Sequence, residues 1–177
     1  LALGDRFVIG HVGSFTYSKN HDFLLKIFKE VHSINPKALL MLIGEGILAD
    51  EISRKISRLN LDYSVMLMGK RNDVSDLMQA MDVFVLPSNF EGFGIVGIEA
   101  QISGLFCVFS NRLPREIDFT NNCSFLEINK DKYISAWSKE ILKAENINRR
   151  LDTAELAEKS GYGIKKQDIS FLVKEEV

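Results

Sequence analysis

The chain has 177 residues, of which 46% are hydrophobic and 26% charged, with a formal net charge of -2. That is about one domain with enough apolar material for a full core, and the charge balance gives nucleic acid or an anionic membrane nothing to recognise. No apolar run approaches the roughly 20 residues of a membrane span.

The opening LALGDRF has neither a starting Met nor a signal-peptide pattern, so it reads as a domain cut from a longer chain. RFVIGHVG (6–13) reads as a strand. HDFLLKIFKEVHSIN (21–35) sets Phe23, Leu24, Ile27, Phe28 and Val31 at helical spacing, and Pro36 stops that helix. ALLMLIG (38–44) is apolar on both faces, as a central parallel strand should be. ILADEISRKISRLN (47–60) reads as a helix with Ile52, Ile56 and Leu59 inward. SVMLMG (64–69) is the third strand, VSDLMQAM (74–81) a short helix, and DVFVLP (82–87) the fourth strand. A helix from about Ile95 to Ile102 ends at Gly104. LFCVFS (105–110) is the fifth strand and CSFLEI (123–128) the sixth. From about Asp131 the chain reads as helices. Trp137, Ile141 and Leu142 face inward in the first, and TAELAEKSG is the clearest later piece.

Such βαβα alternation predicts an α/β fold, a Rossmann-like doubly wound parallel sheet of about six strands, with a helical tail over about 147–177. Ligands bind at the carboxyl ends of such strands. Cys107 and Cys123 have no metal or redox spacing and read as reduced thiols, which points to the cytoplasm. His11 reads as a packed strand residue rather than a base; His21 falls near the start of the first helix and His32 near its end.

GEGILA (44–49) matches the dinucleotide fingerprint G-x-G-x-x-[GA]. It falls on the second βα unit, and the following strand ends MLMGK, with no acid to hold a ribose. The reading preferred is a tight turn in which Gly44 and Gly46 pass close to a neighbouring loop or ligand.

SNFEGFGIVGIEA (88–100) sets Glu91 and Glu99 eight positions apart with Gly92, Gly94 and Gly97 between them. The amides of about Gly94 to Gly97 open a helix, and unpaired N–H groups there form an anion site that a phosphate can approach. Glu99, one turn inside, can accept two hydrogen bonds from a ribose; Glu91, in the loop before the amides, can reach hydroxyls of whatever the phosphate carries. The alternative is a solvated loop carboxylate and a helix-surface charge.

PSNFEGFGIVGIEAQISG resembles the E-x(7)-E signature of the retaining GT-B glycosyltransferases of group one. HVGSFTYSKNHDFLL resembles that family's G-R-x-x-x-x-K segment, MLIGEGIL its strand and G-x-G turn, MDVFVLPS its A-D-V-x-V-x-P-S strand, and SNRLPREI its loop ending P-E. The resemblance covers about Phe7 to Ile128. It implies one half of a GT-B fold: a C-terminal nucleotide-sugar-binding domain over 1–177, with the N-terminal acceptor domain absent.

It further implies that Glu99 holds the nucleotide ribose and Glu91 the transferred sugar. Gly94, Ile95 and Val96 would hold the diphosphate through their amides, with Lys19 reaching it and Gly13, Ser14 and Phe93 lining the donor site. Lys70 and Arg71, after the third strand, would lie beside the base. The family's arginine after the first-strand glycine is Ser14 here, and serine gives no bidentate charged contact. The implied reaction transfers a sugar from a nucleoside diphosphate, UDP by family frequency, to an acceptor hydroxyl with retention, in polysaccharide or glycoconjugate synthesis. Lys19 and the helix N-terminus would stabilise the leaving group, and with no Asp-x-Asp motif no metal or other cofactor is expected. The acceptor, a glycan or lipid-linked sugar, would be held by the absent domain, leaving this piece to bind donor without turnover, in the cytoplasm or at the inner membrane face. The rival readings are a sugar-nucleotide epimerase or phosphorylase on the same architecture, and a non-catalytic α/β regulatory module.

Overall fold

The computed structural model describes residues 3–146, and the helical tail expected over about 147–177 lies outside them. Within those residues the chain runs β1 (Phe7–Val12), α1 (His21–Ile34), β2 (Ala38–Ile43), α2 (Ala49–Arg58), β3 (Val65–Leu67), α3 (Val74–Met78), β4 (Val83–Leu86), α4 (Ile95–Ile102), β5 (Phe106–Ser110), β6 (Cys123–Leu126) and α5 (Ile134–Lys143). The strands form one parallel sheet in the order β3-β2-β1-β4-β5-β6. This is the doubly wound order, in which the chain starts in the middle, builds one half outward, then returns to build the other.

The period of two along each strand sorts side chains between two cores. Ile9, Leu40, Leu42, Val83, Val85 and Val108 face one way and pack with Phe23, Leu24, Ile27 and Phe28 of α1, Ile52 and Ile56 of α2, and Trp137 and Ile141 of α5. Val8, Leu39, Met41, Phe84, Leu86 and Phe109 face the other way, against Leu77 and Met78 of α3 and Ile98 and Ala100 of α4. β2 is buried at all six positions, which is why it carries no polar residue.

Three expected elements contract by three residues or more. α2 begins at Ala49 because Ile47 sits, 89% exposed, in the preceding turn. α3 stops at Met78, which leaves Met81 to pack over Gly10, where a Cβ would meet its Sδ at 1.9 Å. β3 keeps three residues, since this edge strand has one neighbour and Leu67 is 45% exposed. No helix among the described residues is long and apolar enough to cross a membrane.

Candidate functional site

β1 and β4 are adjacent, but α1 and α4, which follow them, lie on opposite faces of the sheet. The two segments leaving these strands therefore diverge and open a crevice at the carboxyl edge. Residues 13–20 form one wall and 87–94 the other.

On the first wall, Tyr17–Lys19 make a 3-10 turn that ends at Asn20, in the left-handed region at φ 58°. Three asparagines hold this turn to the opposite wall. Asn20 Nδ2 donates to Pro87 O at 3.0 Å and to Asn129 Oδ1 at 2.9 Å. Asn129 Nδ2 donates to Asn89 Oδ1 at 2.6 Å. The Asn89 side chain donates to Tyr17 O at 2.9 Å, and its backbone amide to Ser18 O at 2.7 Å. Arg112, after β5, adds a bond from Nη1 to Asn89 O at 3.3 Å. Asn20 and Asn89 are buried, so these bonds are shielded from competing water.

The clamp brings Lys19 onto Glu91. Lys19 Nζ lies 2.7 Å from Glu91 Oε1 and 2.8 Å from Oε2, and the side chains are only 16% and 7% exposed. Ser88, fully buried, donates its hydroxyl to Glu91 Oε1 at 2.5 Å. Neither residue is thus a solvated loop charge.

α4 starts at Gly94, left-handed at φ 64°. A Cβ there would also stand 2.8 Å from Ile117 Cδ1, so both conformation and space call for glycine. Ile95 and Val96 head the helix, where amides lack intrahelical acceptors, and no acid sits in the first turn to compete for them. One turn further, Glu99 is half-buried and makes no side-chain hydrogen bond or ion pair among the described residues. Burial raises its carboxyl above the usual range. The segment around SNRLPREI forms the support beneath: Ile117 packs under Gly94 and Gly97, and buried Gln101 bonds Gly97 O, Ile117 O, the Phe119 amide and the Thr120 hydroxyl.

Around the mouth, Tyr17, Phe90 and Phe93 are 79%, 71% and 70% exposed. Gly13 lies beneath the Lys19 stem. Ser14 is exposed, its Oγ 3.3 Å from Thr16 Oγ1. Arg71 is not brought to the crevice. It pairs with its neighbour Asp73, Nε to Oδ1 at 2.8 Å and Nη2 to Oδ2 at 2.6 Å, beyond β3 at the sheet edge. That pairing lowers the Asp73 carboxyl and raises the Arg71 guanidinium. Lys70, also exposed there, faces Glu45 at 3.9 Å.

His11 and His21 lie under this site rather than in it. His11 is fully buried, with Nδ1 2.8 Å from Val85 O, so Nδ1 carries the proton and donates. Its ring meets His21 edge-on at 4.8 Å, and His21 meets Phe15 at 4.6 Å. Burial, helped by the Lys19 charge, pushes His21 down to about 4. Burial and the neighbouring His21 hold His11 well below the usual range. Both are packing residues in the neutral form, as expected of His11.

Gly44 and Gly46 behave as the tight-turn reading requires. A Cβ on Gly44 would stand 2.0 Å from Gly13 O, and one on Gly46 2.6 Å from Phe15 O. The first-strand loop fills the space a pyrophosphate would need over GEGILA.

The Ser88–Glu91 bond, the asparagine clamp and Arg112 were not anticipated from sequence. Asparagines 20 and 129 sit at turn positions with φ 58° and 66°, where that residue is explained by local backbone chemistry alone.

Comparison with known proteins bears on what this crevice is. The chain is 35% identical over 145 residues to the EpsF protein of Bacillus subtilis (strain 168), covering 82% of this chain and 38% of that protein. It is 29% identical over 170 residues to the UDP-Gal:alpha-D-GlcNAc-diphosphoundecaprenol alpha-1,3-galactosyltransferase of Escherichia coli, covering 82% and 43%. The chain thus spans well under half of those curated relatives. Among solved structures it resembles a single-residue mutant of S. aureus TarM in complex with fondaparinux, alpha-GlcNAc-glycerol and UDP, at TM-score 0.72 and 25% identity over 97% of this chain and 36% of that one. Anabaena Alr3699/HepE in complex with UDP and glucose shares the fold at TM-score 0.74 and 18% identity, over 98% and 49%. A model of the family described as Glycosyl transferases group 1 matches residues 1–168. The chain belongs to that glycosyltransferase family.

Proposed function

We propose that this chain is the donor-binding part of a retaining glycosyltransferase that moves a sugar from a nucleoside diphosphate to an acceptor hydroxyl. The observation that carries this is the arrangement around α4. Glu91 and Glu99 flank a helix N-terminus without an acid in its first turn, at the crevice between β1 and β4. Glu99 has an unengaged carboxylate, suited to the two hydroxyls of a ribose. The Ile95 and Val96 amides take the diphosphate, with Gly94 allowing close approach. Glu91 takes the sugar hydroxyls, and Lys19 lies between the two groups. Gly13, Ser14 and Phe93 line the donor; Arg71 reaches the base only by leaving Asp73.

As the bond from sugar to phosphate breaks, negative charge gathers on the departing diphosphate. Lys19 and the helix N-terminus are fixed beforehand where that charge develops, which lowers the barrier without a metal. UDP is the donor nucleotide we favour, since the galactosyltransferase relative is named for a UDP-sugar and the TarM and HepE structures hold UDP. The acceptor, a glycan or lipid-linked sugar, would meet the rest of a longer protein, working in the cytoplasm or at the inner membrane face. Alone, this part would bind donor without turning it over.

Calorimetric titration with UDP, GDP and ADP tests the reading. Binding of UDP ahead of the others is expected; binding of none of the three would defeat it.

A further inference from the structure

We infer that Lys19 is the positioning residue for Glu91, bridging it to the donor diphosphate, so that recognition of the sugar depends on Lys19 as much as phosphate binding does. The inference rests on the donor-site reading above and adds to it which groups Lys19 holds together.

The geometry leads there in three steps. Lys19 Nζ faces both oxygens of Glu91, at 2.7 and 2.8 Å, rather than one in passing. The two residues come from different walls of the crevice, and the asparagine bonds hold those walls in register. The pair therefore belongs to the framework and is not a chance meeting of flexible side chains.

Lys19 has little reason to abandon Glu91 when a diphosphate arrives. Glu91 is only 7% exposed, and removing its cation would leave a buried carboxylate unpaired beside a second anion. With Lys19 in place the charges alternate: carboxylate, ammonium, diphosphate. The hydrogen-bond capacities fit. An ammonium has three donors; two face Glu91 and one remains for a phosphate oxygen. A carboxylate has about four acceptor sites. Lys19 and Ser88 occupy both on Oε1, and Lys19 one on Oε2, which leaves a single acceptor direction for a sugar hydroxyl. Lys19 and Ser88 together thus choose which way Glu91 can read the sugar.

The test compares affinities of the intact protein for UDP and for UDP-glucose, UDP-galactose and UDP-N-acetylglucosamine. Wild type, Lys19→Met and Glu91→Gln are each measured, and the readout is the gain in affinity that the best sugar adds over UDP. Lys19→Met should weaken UDP by about tenfold, the loss of one charge-assisted bond. It should also erase the sugar's gain, as Glu91→Gln does. A lysine that serves the phosphate alone predicts a different result: UDP and UDP-sugar weakened by the same factor, with the gain intact. That result overturns the inference and leaves the donor reading standing. A wild type with no gain from any sugar removes Glu91 from sugar recognition and the inference with it. Failure of the wild type to bind UDP at all is failure of the donor reading itself. Thermal unfolding of both single variants and of the double variant checks the pair without ligand. The double variant should lose less than the two singles combined, and strict additivity would show that the two side chains do not meet.

Discussion

Gly13 carries the Lys19 side chain on its surface: a Cβ at position 13 would stand 2.9 Å from Lys19 Cε and 3.0 Å from Cδ. A hydrogen at this Cα is thus part of how the ammonium reaches Glu91. Gly13→Ala should displace a flexible side chain and no backbone, so the protein should fold with a loss of about 1 kcal/mol or less while UDP binding weakens several-fold. Gly44→Ala makes the contrast. Its Cβ would stand 2.0 Å from the carbonyl oxygen of Gly13, at a φ of 141° that side chains rarely adopt. We expect it to cost several kcal/mol, read as a large drop in melting temperature.

Glu99 should show a trade between stability and binding. Burial raises its carboxyl, so the folded, ligand-free protein holds that proton more tightly than the unfolded chain does. The ionised form is therefore a burden that grows as pH rises above the ordinary carboxylate range. Glu99→Gln should raise the melting temperature of the free protein slightly at pH 7, and the gain should vanish under acid conditions. The same variant should bind UDP about tenfold more weakly, through loss of a charged acceptor. Equal UDP affinity would take Glu99 out of the site.

Ser14 is exposed at the lip of the crevice, bonded only loosely to Thr16. An arginine there has room to extend. A charged bidentate contact, discounted for solvent, contributes about 1 kcal/mol, or several-fold in affinity. Ser14→Arg should tighten UDP by that factor, lose the gain at high salt, and leave uridine unaffected, since uridine has no phosphate. An equal gain for uridine would show that position 14 does not face the diphosphate.

The histidines beneath the site set an acid limit on the fold. His21 titrates near 4 in the folded protein against 6.5 unfolded, so the unfolded chain binds the extra proton first. Stability is complete above about pH 6.5 and drains away as pH falls toward 4, by about 3 kcal/mol at most. His11 pushes in the same direction. His21→Leu should flatten this part of the stability–pH curve relative to wild type in chemical denaturation at pH 7 and pH 4.5. Parallel curves would show that His21 is protonated where it stands.

The sequence carried the fold because each element of the sheet has its own local signature. The unbroken apolar run of β2, the 3.6 spacing in α1 and the left-handed glycines bounding α4 are short-range facts. α4 spans Ile95–Ile102 as the spacing predicts, because Gly94 and Gly104 mark its ends. Ile47 and Met81 have helical character but are claimed by a turn and by a neighbouring strand, which no window of sequence records. The two glutamates were legible as a pair with glycines between. That Glu91 would already hold a cation was not, since Lys19 lies 72 positions away. Arg71 illustrates the reverse: Asp73, two positions on, takes a side chain that the resemblance directs to the base.

The strand order also sets when the crevice can exist during folding. β1, α1 and β2 are consecutive and can associate early, whereas β1 meets β4 only by closing a long stretch of chain. Val8 and Asp82, which tie the starts of those strands, are 74 positions apart. Contacts of such separation carry the larger entropic cost and form late. Both walls of the crevice hang on that one pairing. A chain emerging from the ribosome therefore has no such crevice until β4 and α4 have been made and docked. For the same reason a nucleotide that binds the finished crevice should slow unfolding more than it speeds folding, because it grips a junction that is completed last.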